Sequence, residues 1–558
     1  MRLLSLPLAL ISLACASPGL PPPAPTISAP HAVVVSVSPD ASTVGRDVLA
    51  RGGNAVDAAV ATAFALAVTL PEAGNLGGGG FALVRTADGQ TYALDFREMA
   101  PAKATRDMYL DANGKPTDES LAGPRASGVP GSVAGYWALH QRLGSKPWPE
   151  LLAPAIQLAE AGFPVNARMA NGIKENQDRL AKSPASAKIF LPGGAPPAIN
   201  STFKQPELAA TLRRIADKGA AGFYDGPTAE LIAGAMARTG GLITAADLTA
   251  YQAKWRTPIE TQYRGYSVLG VPLPSSGGTV VAQIARILEG WELKQLGWHS
   301  ADHLTLLAEA EQRAFADRNE YLGDPDFVAA HPDLLADTYI AKRRATIDVR
   351  HATPSTEVHP GLSEGEHTTH FNVVDAKGGA VALTTTLNAL YGSGVTIDGA
   401  GFLMNDEMDD FAVKPGTPNL FGLVQSENNK IEPGKRPLSS LSPTVVVDRE
   451  GKVVFVGGGR GGSRIISATF QVMSNVLDFG MTVAPAVAAP RVHHQDLPDV
   501  LFLEPDGFRD EILKSLTARG FTLKSRGVIA NSPAIVRTKD GGWSAYADPR
   551  RGGGAEGN

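Results

Sequence analysis

Hydrophobic and polar residues follow two different periods along this chain of 558 residues. Near the start, an apolar run at 32–38 predicts a strand, and the apolar residues 55–68 predict a buried helix with Asn54 as its N-terminal cap. Two alternating runs joined by Asp88-Gly89 predict a hairpin. From about residue 131 to residue 347 the spacing is mostly helical.

The pattern changes after residue 368. HFNVVDAKGGAVALTTTLN predicts a hairpin, and ISATFQVMSNVLDFG predicts a helix. Further strands are predicted at SPTVVVD, KVVFVGGG, RGVIA, PAIVRTK and WSAYADP, whereas residues 348–367 predict no regular structure. Both halves therefore carry sheets and helices without strict βα alternation, which favours a layered α+β fold.

The composition narrows the possible functions. Hydrophobic residues make up 43% and charged residues 19%, enough apolar material for a large core. A net charge of -5 gives no reason to expect nucleic acid as a partner. Cys15 is the single cysteine of the sequence, so neither an internal disulfide nor a cysteine-based metal site or nucleophile is expected.

The N-terminus has the pattern of a targeting segment. Residues 1–16 combine one positive charge, an apolar run and small residues, which predicts a signal peptide cut before Ser17. A lipoprotein signal acylated at Cys15 is the alternative, although the usual leucine three positions earlier is Ser12. Residues 17–30 predict a Pro-rich linker. We therefore expect a periplasmic or secreted protein, or one anchored to a membrane through Cys15.

A glycine-rich run, residues 457–462, matches G-x-G-x-x-G between a predicted strand and a predicted helix. No flanking βαβ unit supplies the acid that binds a ribose, so nucleotide binding is disfavoured. The run does offer backbone N–H groups at a helix N-terminus, which stabilise negative charge. His493-His494 could suggest a metal, but neighbouring strand positions point in opposite directions and a structural role is favoured. We expect neither a metal nor a cofactor.

The stretch GEHTTHFNVVD places Thr368 where a polar segment meets a predicted strand. A threonine hydroxyl is a weak nucleophile that needs a base. The α-amine of an N-terminal threonine can serve, because its pKa is about 7.7–8. This requires cleavage of the bond between His367 and Thr368, for which the same hydroxyl can attack the preceding carbonyl. The simpler interpretation is an ordinary strand residue, since threonine often begins strands.

Several motifs in order resemble those of the γ-glutamyltranspeptidase family. They are GGNAVDAAVA, DFREMAPAKATRDMY, TTHFNVVD, TTTLN, NDEMDDF, KRPLSSLSPT and GGSRI. The resemblance extends over nearly the whole chain from about residue 31. It implies an N-terminal-nucleophile hydrolase with a four-layer αββα sandwich. It also implies a precursor that cuts itself into a large subunit, 31–367, and a small catalytic subunit, 368–558, which stay together as a heterodimer.

The resemblance implies four catalytic residues. Thr368 would cut the precursor and then act as nucleophile, and Thr386 would hydrogen-bond the Thr368 hydroxyl. The backbone N–H groups of Gly461 and Gly462 would form the oxyanion hole. Without the surrounding motifs, Thr386 would be interpreted as an ordinary strand threonine.

The resemblance also implies a set of groups for the substrate α-carboxylate. Arg97 would hold it with two parallel hydrogen bonds, helped by Ser439 and Ser440. In isolation, Arg97 would predict a surface salt bridge and the serine pair a turn.

A third set would surround the substrate α-ammonium. Asn388, Glu407 and Asp410 supply three oxygen acceptors, which complement the three donors of an ammonium group. In isolation, the NDEMDD stretch would predict a solvated acidic turn.

The implied substrates are glutathione and other γ-glutamyl amides. Thr368 would form a γ-glutamyl ester, which water or the amine of an amino acid or dipeptide would resolve. One alternative is a β-lactam (cephalosporin/glutaryl) acylase of the same superfamily, against which Asp410 argues because a glutaryl group has no ammonium. The other alternative is an inactive periplasmic homologue. Residues 414–436 resemble a lid loop in which Phe421 replaces a frequent tyrosine.

Overall fold

Two seven-stranded sheets, each antiparallel between all of its neighbouring strands, form the centre of the molecule. The computed structural model describes residues 25–328, 332–358, 368–414 and 425–558. The strands of sheet 1 are, in spatial order, Gly554–Gly557, Val33–Ser36, Thr369–Val374, Ala380–Thr386, Gly79–Arg85, Thr91–Phe96 and Lys254–Arg256. The strands of sheet 2 are, in spatial order, Ile27–Ala29, Trp543–Tyr546, Ala534–Arg537, Val453–Gly457, Thr444–Val447, Tyr266–Gly270 and Ile259–Tyr263.

Alternation along the strands places the two sheets face to face. Val33 and Val35 of sheet 1 point into a core shared with Val445 and Ile535 of sheet 2, whereas Val34 points to the opposite side. Successive strand residues face opposite sides of a sheet, so one strand serves two cores. Each sheet carries a further core on its outer face, where helices cover it. The result is the four-layer αββα arrangement, and the predicted α+β class is confirmed.

The helices form the two outer layers. Those in the core outside sheet 1 are Pro39–Ala50, Ala55–Thr69, Ser132–Leu143, Trp148–Ala161, Ala167–Glu175, Gln177–Ala181, Pro184–Phe190, Pro206–Lys218, Ala221–Tyr224, Gly226–Thr239 and Ala245–Ala250. Those in the core outside sheet 2 are Gly277–Leu288, Leu293–Leu296, Ala301–Tyr321, Asp337–Ala345, Arg464–Leu477, Val483–Ala488 and Asp510–Ala518. Ser355–Val358 contacts Ala301–Tyr321. A small two-stranded sheet pairs Phe163–Pro164 with Thr202–Phe203. A three-stranded sheet consists of Val492–His493, Leu501–Leu503 and Leu523–Ser525.

The apolar helix predicted after Asn54 is present as Ala55–Thr69 and is buried along its whole length. Asn54 Oδ1 accepts the Asp57 N–H at 2.9 Å, and the Asp57 carboxylate accepts the Asn54 N–H at 2.9 Å. This reciprocal cap satisfies two N–H groups that the first turn leaves without partners. No helix in the described ranges is long and apolar enough to cross a bilayer.

The middle of the chain is less helical than its spacing predicts. Strands Ile259–Tyr263 and Tyr266–Gly270 form an edge hairpin of sheet 2. The residues of Ile259–Tyr263 alternate between more and less exposed, so the period-two pattern was present in the sequence.

Three other local expectations differ from the structure. Ile27–Ala29, within the predicted linker, pairs with Trp543–Ala545 in sheet 2. Residues 348–367 include the short helix Ser355–Val358. The strand predicted at RGVIA is wrong, because side chains take the place of a neighbouring strand there. The Ile529 N–H donates to the Glu504 carboxylate at 2.8 Å, and Arg491 donates to the Ile529 carbonyl at 3.1 Å.

Candidate active site

Thr368 and Thr386 lie at one end of the central hairpin of sheet 1. Thr369 pairs with Thr385 in the antiparallel ladder, so the register places Thr386 opposite Thr368. Both side chains are almost completely buried, Thr368 with 4% of its surface exposed. The Asn388 N–H donates to Thr386 Oγ1 at 2.8 Å, and this bond fixes the hydroxyl at the strand end.

Asn388 adopts a left-handed backbone conformation, with φ of 72°. Asparagine tolerates this region better than most residues. Its side-chain amide donates to the Asp406 carbonyl at 3.0 Å, which orients the amide oxygen. The turn thus joins the strand end to the acidic loop that follows.

Arg97 lies directly after the strand Thr91–Phe96 and is 1% exposed. Its two terminal nitrogens form ion pairs with Glu407 and Asp410. Glu98 lies 3.4 Å from the same guanidinium, and the Pro437 carbonyl accepts from Arg97 Nε at 3.2 Å. Arg97 is therefore a buried cation and not part of a surface salt bridge.

The acidic loop is also buried. Glu407–Asp410 forms one 3-10 turn, and every residue in it is buried. Within the described part of the chain, Glu407 Oε2 and Glu98 Oε1 are buried oxygens that have no hydrogen-bond partner. Glu407 lines the same space as Asn388, so its Oε2 can accept a hydrogen bond from a ligand ammonium.

Burial shifts the protonation of this cluster. It raises the pKa of Glu407 well above the ordinary value, raises that of Asp410, and raises the pKa of Glu98 to about 7. Burial alone would lower the pKa of Arg97, but the neighbouring carboxylates outweigh it and the pKa is raised. Three carboxyl groups surround one guanidinium, so an added cation would favour their ionised form.

Ser439 and Ser440 line the same space as Arg97 and the acidic loop. The Ser439 N–H donates to the Pro274 carbonyl at 2.8 Å, and the Ser439 carbonyl accepts the Ser276 N–H at 2.8 Å. These bonds attach the serine pair to the segment that leads into the helix Gly277–Leu288. Ser440 Oγ accepts from Arg318 Nη2 at 3.4 Å.

The glycine-rich run follows the strand Val453–Gly457 and precedes the helix Arg464–Leu477. That strand lies between antiparallel neighbours, so the surroundings are not those of a dinucleotide-binding βαβ unit. Gly461 and Gly462 have φ of 138° and 62°. Their N–H groups donate to no other group in the described ranges, which leaves two donors available at a helix N-terminus.

One narrow cavity of about 20 Å³ brings most of the predicted residues together. Its walls include nine of them: Arg97, Thr368, Thr386, Asn388, Glu407, Asp410, Ser439, Ser440 and Gly462. Gly461 adjoins it through Gly462. A space of this size holds about one water molecule.

Three further residues at this site were not predicted from the sequence motifs. Arg318 and Ser463 line the cavity, and Glu98 contacts Arg97. Glu98 follows Arg97 directly in the sequence and could have been proposed. Arg318 belongs to a helix that is continuously buried from His303 to Asn319, so its spacing does not separate a functional face from a structural one.

His493 and His494 serve the interior of the fold. His493 bonds Ser467 Oγ at 2.7 Å and Gln495 Oε1 at 2.9 Å, and the His494 N–H donates to Glu311 at 2.8 Å. No group of three or more possible metal ligands from His, Cys, Asp and Glu occurs among the residues that the structure covers.

Comparison with known proteins decides the family. The family model described as gamma-glutamyltranspeptidase matches residues 41–558. The chain belongs to the γ-glutamyltranspeptidase family. The predicted family and the N-terminal-nucleophile hydrolase fold are thereby confirmed.

Individual relatives agree with this membership. The chain is 46% identical over 560 residues to the glutathione hydrolase proenzyme of Escherichia coli (strain K12), covering 97% of this chain and 96% of that one. It is 39% identical over 520 residues to the acylase ACY 1 proenzyme of Pseudomonas sp. (strain V22), covering 91% of this chain and 90% of that one. The crystal structure of a cephalosporin acylase from Bacillus halodurans matches with a TM-score of 0.86 and 28% identity, covering 98% of this chain and 99% of that one.

Some predictions fall outside the described residues of this γ-glutamyltranspeptidase family member. They concern the signal peptide at 1–16 with Cys15, most of the linker, His367 of the cleavage site, and Phe421 of the lid. The later part of the lid is described. There, Gln425 and Asn429 donate side-chain hydrogen bonds to the Asp410 carbonyl at 2.9 and 2.6 Å. These bonds attach residues 425–429 of the predicted lid segment to the acidic loop.

Proposed function

We propose that this chain is the precursor of a γ-glutamyltranspeptidase that hydrolyses glutathione and transfers γ-glutamyl groups. The observation that carries the proposal is the cavity lined by Thr368. It places a threonine at the start of a strand beside the Arg97 guanidinium, a set of carboxylates and two available backbone N–H groups. A γ-glutamyl amide carries the complementary groups: a carbonyl for attack and a zwitterionic α-carbon for recognition.

The first reaction of the precursor is its own cleavage. Thr368 Oγ1 attacks the His367 carbonyl, the peptide C–N bond breaks as the ester bond forms, and the nitrogen gains the hydroxyl proton to become the new α-amine. Water then hydrolyses the resulting ester and releases the His367 carboxylate. The products are the large subunit, 31–367, and the small subunit, 368–558.

The fold supports a stable heterodimer after cleavage. Thr369–Val374 pairs with Val33–Ser36 on one side, and Ala380–Thr386 pairs with Gly79–Arg85 on the other. Sheet 2 also joins strands from both sides of the cut. Both fragments contribute to the same cores, so separating them would expose apolar surface.

Turnover uses the new amine as base. The Thr368 amine accepts the hydroxyl proton as Oγ1 attacks the γ-carbonyl, and the Gly461 and Gly462 N–H groups stabilise the oxyanion. Thr386 orients the attacking hydroxyl. The leaving amine takes the proton, and a γ-glutamyl ester remains. Water completes hydrolysis, whereas the amine of an amino acid or dipeptide completes transfer.

Recognition adds the two charges of the substrate to the ion pairs already present at the site. Arg97 binds Glu407 and Asp410 in the structure described here, and all three also fit the two charges of a γ-glutamyl α-carbon. The ammonium binds Asn388, Glu407 and Asp410, and the carboxylate binds Arg97, Ser439 and Ser440. Because these contacts lie away from the scissile bond, the leaving group matters less than the α-carbon.

The location of the protein in the cell is inferred from its N-terminal sequence. We propose export from the cytoplasm to the periplasm or the medium by the 1–16 segment, with acylation of Cys15 as the anchored variant. No nucleic acid partner is proposed, in keeping with the net charge of -5.

The test is release of a chromogenic aniline from a γ-glutamyl anilide, with and without glycylglycine. Purified protein should release the aniline, and glycylglycine should accelerate release by acting as acceptor. The Thr368→Ala variant should remain a single chain without activity. A Thr368→Ala variant that is cut and active would refute the proposal.

A second candidate is an acylase for glutaryl amides, which the similarity to a cephalosporin acylase supports. Glutaryl and γ-glutamyl anilides differ by the α-ammonium, the group that Glu407 and Asp410 would bind. We expect wild-type kcat/KM to favour the γ-glutamyl compound, and Asp410→Asn to remove most of that preference. A higher kcat/KM for the glutaryl compound would favour the acylase.

A further inference from the structure

Arg318 is a second guanidinium in the active-site cavity. It lies in the last turn of the helix Ala301–Tyr321, is 1% exposed, and lines the same space as Thr368. Nε donates to Ser276 Oγ at 3.3 Å, Nη1 to Asn319 Oδ1 at 3.0 Å, and Nη2 to Ser440 Oγ at 3.4 Å. Neutral oxygens therefore accept all three of these bonds, and two of them are long.

Arg318 differs from its buried neighbours in charge pairing. Arg97 contacts three carboxylates, and Arg313, five residues before Arg318 in the same helix, pairs with Glu309 at 2.6 Å. Within the described ranges, no carboxylate oxygen lies within salt-bridge distance of Arg318. A buried cation without a counter-ion is costly, and burial lowers the pKa of Arg318 to about 10. An anion entering the cavity would offset this cost.

The arrangement of charges points to a substrate group for this position. Both terminal nitrogens of Arg97 already bind Glu407 and Asp410, the acids that would receive the ammonium. Arg97 can retain those contacts when the ammonium arrives, but the incoming carboxylate then lacks a fully available cation. Arg318 supplies one beside Ser440, on the side of the cavity that carries the serine pair.

We infer that Arg318 binds the α-carboxylate of the donor together with Arg97, Ser439 and Ser440, and so helps to select donors that carry this carboxylate. The inference rests on the proposed function and adds a residue to its recognition site. Arg97 then has two tasks: it organises the acids that receive the ammonium, and it shares the carboxylate with Arg318. Arg318 has the second task alone.

Three anilides separate these contacts. The γ-glutamyl anilide has both α-groups, the glutaryl anilide keeps the carboxylate without the ammonium, and the 4-aminobutyryl anilide keeps the ammonium without the carboxylate. Each is assayed with wild type, Arg318→Lys, Arg318→Met and the control Arg313→Lys, using only processed protein. The control changes a buried arginine of the same helix that does not line the cavity.

We expect Arg318→Met to lower kcat/KM on the order of 100-fold for the γ-glutamyl and glutaryl anilides, mainly through KM, because a buried charge contact is lost. The 4-aminobutyryl anilide should change less than about threefold, since it has no carboxylate to lose. Arg318→Lys should show a smaller loss with the same substrate pattern, and it replaces Arg318→Met if the latter does not mature. Arg313→Lys should affect all three anilides equally.

Equal losses for all three anilides in the Arg318 variants would overturn the inference and indicate a structural role. Unchanged KM for the γ-glutamyl anilide would overturn it as well. A wild-type protein that is inactive on the γ-glutamyl anilide would instead refute the proposed function, and the inference with it.

Discussion

Thr386 lies opposite Thr368 in the ladder between the two strands of the central hairpin, and its hydroxyl accepts the Asn388 N–H at 2.8 Å. That bond ties the position of the Thr386 hydroxyl to the turn that also carries a proposed ammonium ligand. Nucleophile activation and substrate recognition therefore depend on the same few residues at one strand end.

Replacing Thr386 tests this arrangement. We expect Thr386→Val to slow both precursor cleavage and kcat by about 10–100-fold, because general-base assistance and the orientation of the hydroxyl are weakened. Thr386→Ser keeps the hydroxyl and should remain within several-fold of wild type. Thr385→Val is the neighbouring control, since Thr385 Oγ1 donates to the Gly79 carbonyl and does not line the cavity. Wild-type rates for Thr386→Val would contradict the assigned role.

Arg97 should contribute to stability in a pH-dependent way. Removing it in Arg97→Gln leaves Glu98, Glu407 and Asp410 buried without their cation, a change that costs about 3–5 kcal/mol when the acids are ionised. Their folded-state pKa values, already raised by burial, then rise further. The folded variant binds more protons than the unfolded chain, so its stability falls as pH rises.

The Tm deficit of Arg97→Gln relative to wild type should therefore be larger at about pH 8 than at about pH 5. Thermal unfolding of both proteins at the two pH values measures it. A deficit that does not change with pH would show that the three acids do not respond to Arg97.

The proposed oxyanion hole is tested at Gly461. A Cβ atom there would lie 2.8 Å from the Ala530 Cα atom, and the φ of 138° disfavours other residues. Gly461→Ala should displace the two N–H groups and lower kcat by about 10²–10³-fold with little change in KM. Gly480→Ala is the control, because φ is also positive at 68° but nothing lies within 4 Å of the added carbon. Equal kcat values for the two variants would argue against the oxyanion hole.

Glu311 is a buried acid outside the cavity. It accepts the His494 N–H at 2.8 Å and Gln471 Nε2 at 3.2 Å, and burial raises its pKa to about 8 from an ordinary 4.5. Because the folded-state pKa is raised, stability is fully present below about pH 4.5 and is lost as pH rises toward 8. Glu311→Gln removes this titration.

We expect the unfolding free energy of Glu311→Gln to rise relative to that of wild type between about pH 5 and pH 8. The change in this difference should reach about 2–5 kcal/mol at pH 8. Urea unfolding at each pH provides the free energies. A constant difference between the two proteins would mean that Glu311 is ionised across this range.

Local patterns predicted the elements around Thr368 well. The hairpin Thr369–Thr386 has alternating and apolar residues with a Gly-Gly turn, and both strands are present. The hairpin Ile259–Gly270 was missed because helical segments surround it, although its own pattern alternates. At RGVIA, buried apolar residues satisfied the strand pattern, but Glu504 and Arg491 bind the backbone instead. Such long-range partners cannot be inferred from local spacing.

In the candidate site, too, the sequence predicted some residues and missed others that only the folded structure brings close. The motifs predicted that Arg97 and Asp410 belong to one site although 313 positions separate them in the sequence. No motif identified Arg318, which lines the same cavity. The mutual ion pairs of Arg97, Glu407 and Asp410 were also not foreseen, since each had been assigned to a substrate group. They arise because buried charges need a counter-ion, and these opposite charges are buried side by side.

The central claim is that the bond between His367 and Thr368 breaks and that the new terminus performs catalysis. Intact-mass and N-terminal analysis of the purified protein, assayed in parallel on a γ-glutamyl anilide, tests it most directly. We predict two fragments, the smaller beginning at Thr368 and ending at Asn558, with activity that appears in proportion to cleavage. An intact single chain with full activity, or a small fragment that begins at another residue, would contradict the account.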